Sequence, residues 1–183
     1  MPLYILIFLL YQISPANADT QCGNLCDKNW WKQNNLILLQ KELSLAEIDL
    51  TSNLDENAPI YFASAYGSPE MLKYLIENGA DANQSTKNGF TPLHAAVEFS
   101  DITNMNILIE HGANVNAKSI FGFTPLHRAA TERGSDVVLF LIKNGADASI
   151  IDNLGTTPYY WGQKNKKLKL TPALKLLEQL QNL

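Results

Sequence analysis

Four equally spaced prolines restrict what this chain can fold into. Pro59, Pro92, Pro125 and Pro158 lie 33 residues apart, and the two central ones begin near-identical runs, TPLHAA after residue 90 and TPLHRAA after residue 123. Self-similarity at a fixed period of 20–50 residues is typical of stacked units that bury their apolar faces against their neighbours. We therefore expect a repeat stack.

A second set of residues keeps the same period. Gly79, Gly112 and Gly145 are again 33 residues apart, each followed by Ala-Asp or Ala-Asn. Apolar residues between each proline and its glycine also align, at a spacing of three and then one that predicts one face of a helix. They are Leu72, Leu75 and Ile76, then Met105, Leu108 and Ile109, then Val138, Leu141 and Ile142.

Each unit can be divided into two helices and a loop. Threonine is a good N-cap and proline is tolerated in the first helical turn, so a helix is expected to begin at each Thr-Pro. It breaks at Gly67, Ser100 or Gly134, and a second helix ends at the glycine that follows Asn or His. The polar residues that follow end in an x-Gly turn, which suits a projecting hairpin.

The Thr-Pro-Leu-His-x-Ala run at this period resembles the ankyrin-repeat family. The resemblance implies an all-α solenoid of 33-residue helix-turn-helix units with projecting β-hairpin loops, here called fingers, that bind a protein partner. In that family the positions of His94 and His127 are structural, because the imidazole hydrogen-bonds to the threonine three residues earlier and to adjacent backbone.

The end units of such a stack should be atypical, and they are. Tyr61 and Tyr160 replace the structural histidine, and the last unit needs about two inserted residues in its Lys-rich turn before a second helix over residues 172–180. We assign residues 1–18 to a signal peptide and 19–56 to an N-terminal segment with a capping half-repeat. Three repeats follow at 57–89, 90–122 and 123–155, and a C-terminal capping repeat at 156–183.

The N-terminus predicts export. Residues 3–13 are apolar except Gln12, and Ser14-Pro15 and an Ala16-Asn17-Ala18 cleavage site follow, which is typical of a secretory signal peptide. An uncleaved signal anchor is the alternative, although the apolar run is short for a membrane span. The segment from Cys22 to Trp31 resembles the start of bacterial exported ankyrin-repeat proteins, which implies a periplasmic or secreted protein.

The two cysteines, Cys22 and Cys26, lie in this N-terminal segment. In an oxidising compartment such a pair is expected to form a disulfide. The alternative is metal binding, which needs more ligands than the nearby sequence supplies. We predict no metal and no cofactor.

Charge and motifs exclude several classes of function. The net charge is −4, whereas nucleic-acid binding needs a basic stripe, so no nucleic acid is expected as a partner. The basic cluster at Lys164, Lys166, Lys167 and Lys169 is interpreted as a solvated turn. No nucleophile, metalloprotease or phosphate-loop motif is present, so we expect a non-enzymatic protein. We also expect it to be monomeric and to have no membrane partner after signal cleavage.

Residues that depart from the repeat pattern on fingers and first helices are the candidate partner-binding positions. Phe121 is notable because large apolar side chains are unusual at hairpin tips. An alternative is that the phenylalanines pack finger against finger. The set comprises Ser85, Lys87, Phe90, Glu98, Phe99, Lys118, Ile120, Phe121, Phe123, Thr131, Glu132, Ile151 and Asn153, with Tyr66, Arg128 and Thr156 as further positions.

The sequence thus predicts an exported scaffold that binds a protein of unknown identity. Two alternatives remain open. One is a secreted effector of a host-associated bacterium that binds a host protein, and the other is an inhibitor or protective accessory of a periplasmic enzyme.

Overall fold

A computed structural model describes residues 25, 27–45, 50, 58–99 and 101–181 of the chain. Ten helices form in these residues. They are α1 (Lys28–Trp31), α2 (Leu36–Leu45), α3 (Pro59–Tyr66), α4 (Pro69–Glu77), α5 (Pro92–Phe99), α6 (Ile102–Glu110), α7 (Pro125–Glu132), α8 (Ser135–Lys143), α9 (Pro158–Lys164) and α10 (Pro172–Leu180).

The helices form antiparallel pairs that stack side by side. The first helices α3, α5, α7 and α9 pack against one another in chain order, and each packs on its own second helix. Second helices form the other layer, with α2 on α4, α4 on α6, and α8 on α10. The core lies between the layers, where Leu72, Leu108, Leu141 and Leu177 are fully buried. This is the all-α solenoid that the resemblance implies.

The predicted helix limits are confirmed where the structure describes them. A helix begins at each of the four periodic prolines, and the second helix of the last unit spans Pro172–Leu180. Gly79, Gly112 and Gly145 follow the second helices with φ of 98°, 85° and 90°. That left-handed conformation is easy only for glycine, so these residues end the helices. The predicted break at Ser100 lies outside the described residues.

The threonine caps are not uniform. Thr124 accepts a hydrogen bond from the His127 N–H, as expected of an N-cap. Thr157 does not cap its helix, because its hydroxyl donates instead to Gln181 Oε1 at 2.7 Å. The sequence interpretation was wrong on this point, and the bond ties the start of α9 to the residue that follows α10.

The two repeat histidines join neighbouring units. His94 Nδ1 accepts from the Thr91 N–H at 3.1 Å, so Nε2–H donates to the Phe123 carbonyl of the next unit, also at 3.1 Å. His127 repeats the arrangement with Thr124 and the Thr156 carbonyl. The predicted bonds to threonine and backbone are therefore present, and they link one unit to the next.

Two buried asparagines form a further link that the period does not reveal. Asn104 Nδ2 donates to the carbonyl of Gly67 at 3.1 Å, and Asn165 Nδ2 donates to those of Ala130 and Arg133 at 3.0 and 2.8 Å. Each therefore satisfies a carbonyl at the end of the preceding unit's first helix, which would otherwise lack an intrahelical partner.

The fingers are tight turns. The Thr86 N–H donates to the Phe90 carbonyl at 2.9 Å, and Ser119 and Asp152 repeat this bond with Phe123 and Thr156. One backbone–backbone bond joins each finger to the next, such as that from the Asn153 N–H to the Phe121 carbonyl at 3.0 Å. So few ladder bonds do not make a strand, and none of the described residues forms one. The fingers thus lack the expected β-structure.

Gly122 lies where two fingers meet, and we expect Gly122→Ala to destabilise the protein by about 2 kcal/mol. Its φ is 78°, and an added Cβ would lie 2.7 Å from the backbone nitrogen of Asn153. Gly155 is the matched control, since its φ is 75° but an added Cβ would meet no atom within 4 Å. Gly155→Ala should cost only about 1 kcal/mol. Urea denaturation measures both losses in the free energy of unfolding. Equal losses for the two variants would show that the neighbouring fingers move apart at little cost.

The N-terminal end of the stack is covered by α1, which packs on α3. Trp31 is fully buried and its indole N–H donates to the Leu25 carbonyl at 2.7 Å. The proposed signal peptide, Cys22 and Cys26 lie outside the described residues. No helix within the described residues has the length and apolarity needed to cross a membrane.

Candidate functional site

A groove of about 410 Å³ opens between the fingers and the first helices. We call it the concave groove and define it by the residues that line it: Phe90, Phe121, Phe123, Arg128, Asn153, Leu154 and Trp161. Five of these side chains are apolar or aromatic. They come from three successive units, so the groove exists only in the assembled stack.

The inner wall of the concave groove is aromatic. The Phe123 ring lies 5.4 Å from that of Trp161 and 5.3 Å from that of His127, and Phe90 lies 5.5 Å from His94. Phe90 and Phe123 thus pack on the histidines that link the units. These rings are already packed against one another before a partner binds, and such preorganisation lowers the entropy cost of binding.

The outer wall is formed by exposed finger tips. Phe121 packs 6.3 Å from Phe90 and yet remains 53% exposed, and Leu154 on the next finger is 76% exposed. Ile120 and Ile151 beside them are also exposed. Finger-to-finger packing is therefore real for the Phe90–Phe121 pair, but it leaves a row of large apolar side chains open to solvent.

Arg128 contributes the charge of the concave groove. Its Nη2 donates to Glu98 Oε1 at 2.9 Å, while Nε is buried and has no hydrogen-bond partner within the described residues. A smaller cavity beside it is lined by Tyr61, Phe90, His94, Glu98 and Arg128. Burial, together with the Glu98 charge, raises the pKa of Tyr61, so this phenol stays neutral.

Lys164 lies at the Trp161 side of the groove. Its Nζ is 5.4 Å from the Trp161 ring centroid and 4.0 Å from that of Tyr160, which is cation–π geometry. Nζ also donates to the Tyr160 hydroxyl at 2.8 Å. The basic cluster was interpreted as a solvated turn. All four of its lysines are exposed, but Lys164 belongs structurally to the concave face.

A second aromatic group lies toward the N-terminal end of the first-helix layer. Phe99 is exposed and its ring lies 4.6 Å from that of Tyr66, which in turn stacks 6.5 Å from Phe62. The predicted positions Phe99 and Tyr66 are thus adjacent to each other. They do not line the concave groove.

Several predicted binding residues make contacts that stabilise the fold. Asn153 Nδ2 donates to the Ile120 carbonyl at 2.8 Å, and the Thr131 hydroxyl donates to the His127 carbonyl at 2.8 Å. Glu132 accepts from Arg133 Nη2 at 2.7 Å. These contacts explain why the three side chains depart from the repeat pattern without any partner.

The predicted residues Ser85 and Lys118 lie together in a separate, polar cavity with Asn83 and Asn114. Lys87 is exposed on its finger. The structure therefore brings together in the concave groove Phe90, Phe121, Phe123 and Asn153 of the predicted set, with Arg128 from the further positions.

Trp161 and Leu154 line the groove but were not among the predicted residues. The 33-residue alignment contains a signal for both, because Trp161 is equivalent to Arg128 and Leu154 to Phe121. Trp161 lies on the first helix of the last unit, which was assigned as a capping repeat. Whether it lines a groove depends on the side chains of the preceding unit, and sequence alone does not position those.

Asp152 fixes the last finger beneath Leu154. Burial alone would raise the pKa of its carboxyl group, but bonds from the Thr156 hydroxyl and N–H, the Trp161 indole and the Leu154 N–H together lower that pKa to about 2. The bond from Trp161 Nε1, at 2.8 Å, also sets the orientation of the indole in the groove. Thr156, one of the further predicted binding positions, therefore bonds within its own finger.

Comparisons with known proteins match most of the chain. A family model of ankyrin repeats in three copies matches residues 31–119, and a model of ankyrin repeats in many copies matches residues 108–159. Together the two matches extend over more than two thirds of the chain.

Three curated relatives are similar over shorter segments. An ankyrin repeat protein of Fowlpox virus (strain NVSL) is 42% identical over 55 residues, 30% of this chain and 29% of the relative. One of Acanthamoeba polyphaga mimivirus is 47% identical over 45 residues, 25% and 33% of the two chains. A palmitoyltransferase of Lachancea kluyveri is 32% identical over 76 residues, 40% of this chain but 10% of the enzyme. The chain thus spans a third or less of the length of these relatives.

Proposed function

The chain belongs to the ankyrin-repeat family, and we propose that it works as a protein-binding module whose partner occupies the concave groove and contacts the finger tips around it. Ankyrin repeats are generally non-enzymatic interaction modules, and the palmitoyltransferase match is partial. The partner-binding surface and the partner are the parts that need experiment.

The observation that carries the proposal is the apolar surface left open at the groove. Phe121 and Leu154 are more than half exposed on successive fingers, and Ile120 and Ile151 extend the same row. Contiguous exposed apolar side chains beside a preformed concavity mark an interaction site in a soluble protein. Aromatic side chains with Arg128 at the centre are also the residue types that dominate binding energy at interfaces.

We also propose that the protein is exported and acts in the periplasm or outside the cell. Support comes from the sequence alone, namely the apolar run at residues 3–13 followed by Ala16-Asn17-Ala18. Mass spectrometry of the protein from its native cells should find a mature N-terminus at Asp19. A protein that starts at Met1 would overturn this proposal.

Binding through the groove is tested by affinity capture with matched variants. We expect Phe121→Asp to weaken binding of a captured partner at least about tenfold, because a charge replaces an exposed anchor, and Ile120→Asp to weaken it in the same direction. Leu170→Asp is the control, since Leu170 is 96% exposed but lies outside the groove. If all three variants bind like the unmodified protein, the partner contacts another surface.

A further inference from the structure

The concave groove differs in charge from the protein as a whole. Although the net charge is −4, the charged residue in the groove lining is Arg128, and Lys164 lies over the Trp161 ring of its wall. Of the nearby carboxylates, Glu98 is paired with Arg128, while Asp152 accepts hydrogen bonds from neutral donors of its own finger and from Trp161. No carboxylate of the described residues pairs with Lys164, so this cation has no acidic partner there.

Arg128 can accept a second acidic partner. A guanidinium group has five N–H donors, and the contact with Glu98 is made through Nη2. The Arg128 side chain is 27% exposed beside the aromatic rings that line the groove, so Nη donors not used by Glu98 can meet a ligand. Inside such a partly dry, apolar site, a charge-assisted bond to a carboxylate is stronger than it would be in water.

Lys164 adds a second cation at the same site. Its Nζ lies over the Trp161 ring, which is itself part of the groove wall. A ligand whose apolar side chain packs against Phe123 and Trp161 would therefore lie near two cations. These are the Arg128 guanidinium in the groove lining and the Lys164 ammonium beside Trp161. Basic or neutral ligands gain nothing from either cation.

We propose that the occupant of the concave groove is an acidic segment of a partner protein, with a large apolar side chain in the groove and a neighbouring Asp or Glu carboxylate bound by Arg128 and Lys164. This rests on the proposed function and specifies the chemistry of the partner. Apolar contact supplies affinity, while the carboxylate selects the sequence and speeds encounter.

The test uses a library of random peptides fused at both ends to a carrier, so that only side chains provide carboxylates. Selection on the mature protein should enrich sequences in which Asp or Glu adjoins Phe, Trp, Leu or Ile. A parallel library with free C-termini covers the other source of a carboxylate. Enrichment confined to free C-termini, or enrichment of basic or uncharged sequences, would overturn the proposal.

Two substitutions of opposite sign separate direct contact from a structural effect. Arg128→Gln should weaken binding of an enriched peptide about tenfold, and Glu98→Gln should tighten it about threefold by releasing the guanidinium. If the Arg128–Glu98 pair only stabilises the structure, both substitutions should weaken binding. That result would contradict the proposal. Leu170→Asp serves again as the control and should bind normally.

The outcomes also distinguish this inference from the proposed function. Peptides that depend on Phe121 but not on Arg128 or on their own carboxylates would leave the groove as a binding site and refute the acidic partner. Peptides that ignore both Phe121 and Arg128, or the absence of any enriched peptide, would count against the groove itself.

Discussion

Replacing Leu108 by alanine should lower the free energy of unfolding by about 4 kcal/mol. Leu108 is fully buried in α6, between the two layers of the stack. Deleting its side chain removes favourable apolar burial and leaves a cavity that helices fixed on both sides cannot fill. Urea denaturation followed by circular dichroism measures the difference.

Leu139→Ala is the matched control for Leu108→Ala. Leu139 is in the second helix α8 but is 39% exposed, so its truncation should cost less than about 1 kcal/mol. Similar losses in the two variants would mean that the buried layer does not supply the stability of the stack.

Acidification should destabilise the protein through His94. Burial lowers the pKa of His94 from 6.5 to about 4, so the ring is neutral at pH 7 and its Nδ1 can accept from the Thr91 N–H. The folded state therefore binds fewer protons than the unfolded state between these pH values. Stability is complete above pH 6.5 and falls as pH approaches 4, by about 3 kcal/mol from this residue. Burial also lowers the pKa of His127, which acts in the same direction.

The acid effect is measured by urea denaturation at several pH values. His94→Asn should lower stability at neutral pH but remove most of the loss between pH 6.5 and 4. If His94→Asn left the dependence of unfolding free energy on pH unchanged, His94 would not be a neutral residue that links the units. Protonation of Asp152 should add a separate loss below about pH 4.

The scaffold could be predicted from the sequence because each of its determinants is local. A proline at the start of a helix and a glycine with positive φ at its end act through backbone geometry that a single residue imposes. The unit links through Asn104 and Asn165 could not be predicted in this way. Their acceptors lie more than 30 residues away in another unit, so no local pattern indicates these bonds.

The candidate site was only partly predictable for the same reason. Phe121 was identified because it departs from a repeat position, whereas Trp161 lies in the unit assigned as the C-terminal capping repeat and Arg128 was only a further position. Asn153 departs from the pattern too, but its amide bonds to the Ile120 carbonyl and stabilises the adjacent fingers. A departure from the repeat thus indicates a changed contact, and the structure is needed to decide whether that contact is internal.

Site-specific photo-crosslinking in native cells tests most directly whether the partner occupies the concave groove. A photoreactive phenylalanine analogue would replace Phe121 or Leu154 at the groove, and Leu139 or Leu170 elsewhere on the surface. The groove hypothesis predicts the same partner adduct from Phe121 and Leu154, and none from Leu139 or Leu170. Adducts that form at Leu139 and Leu170 but not at Phe121 and Leu154 would contradict it.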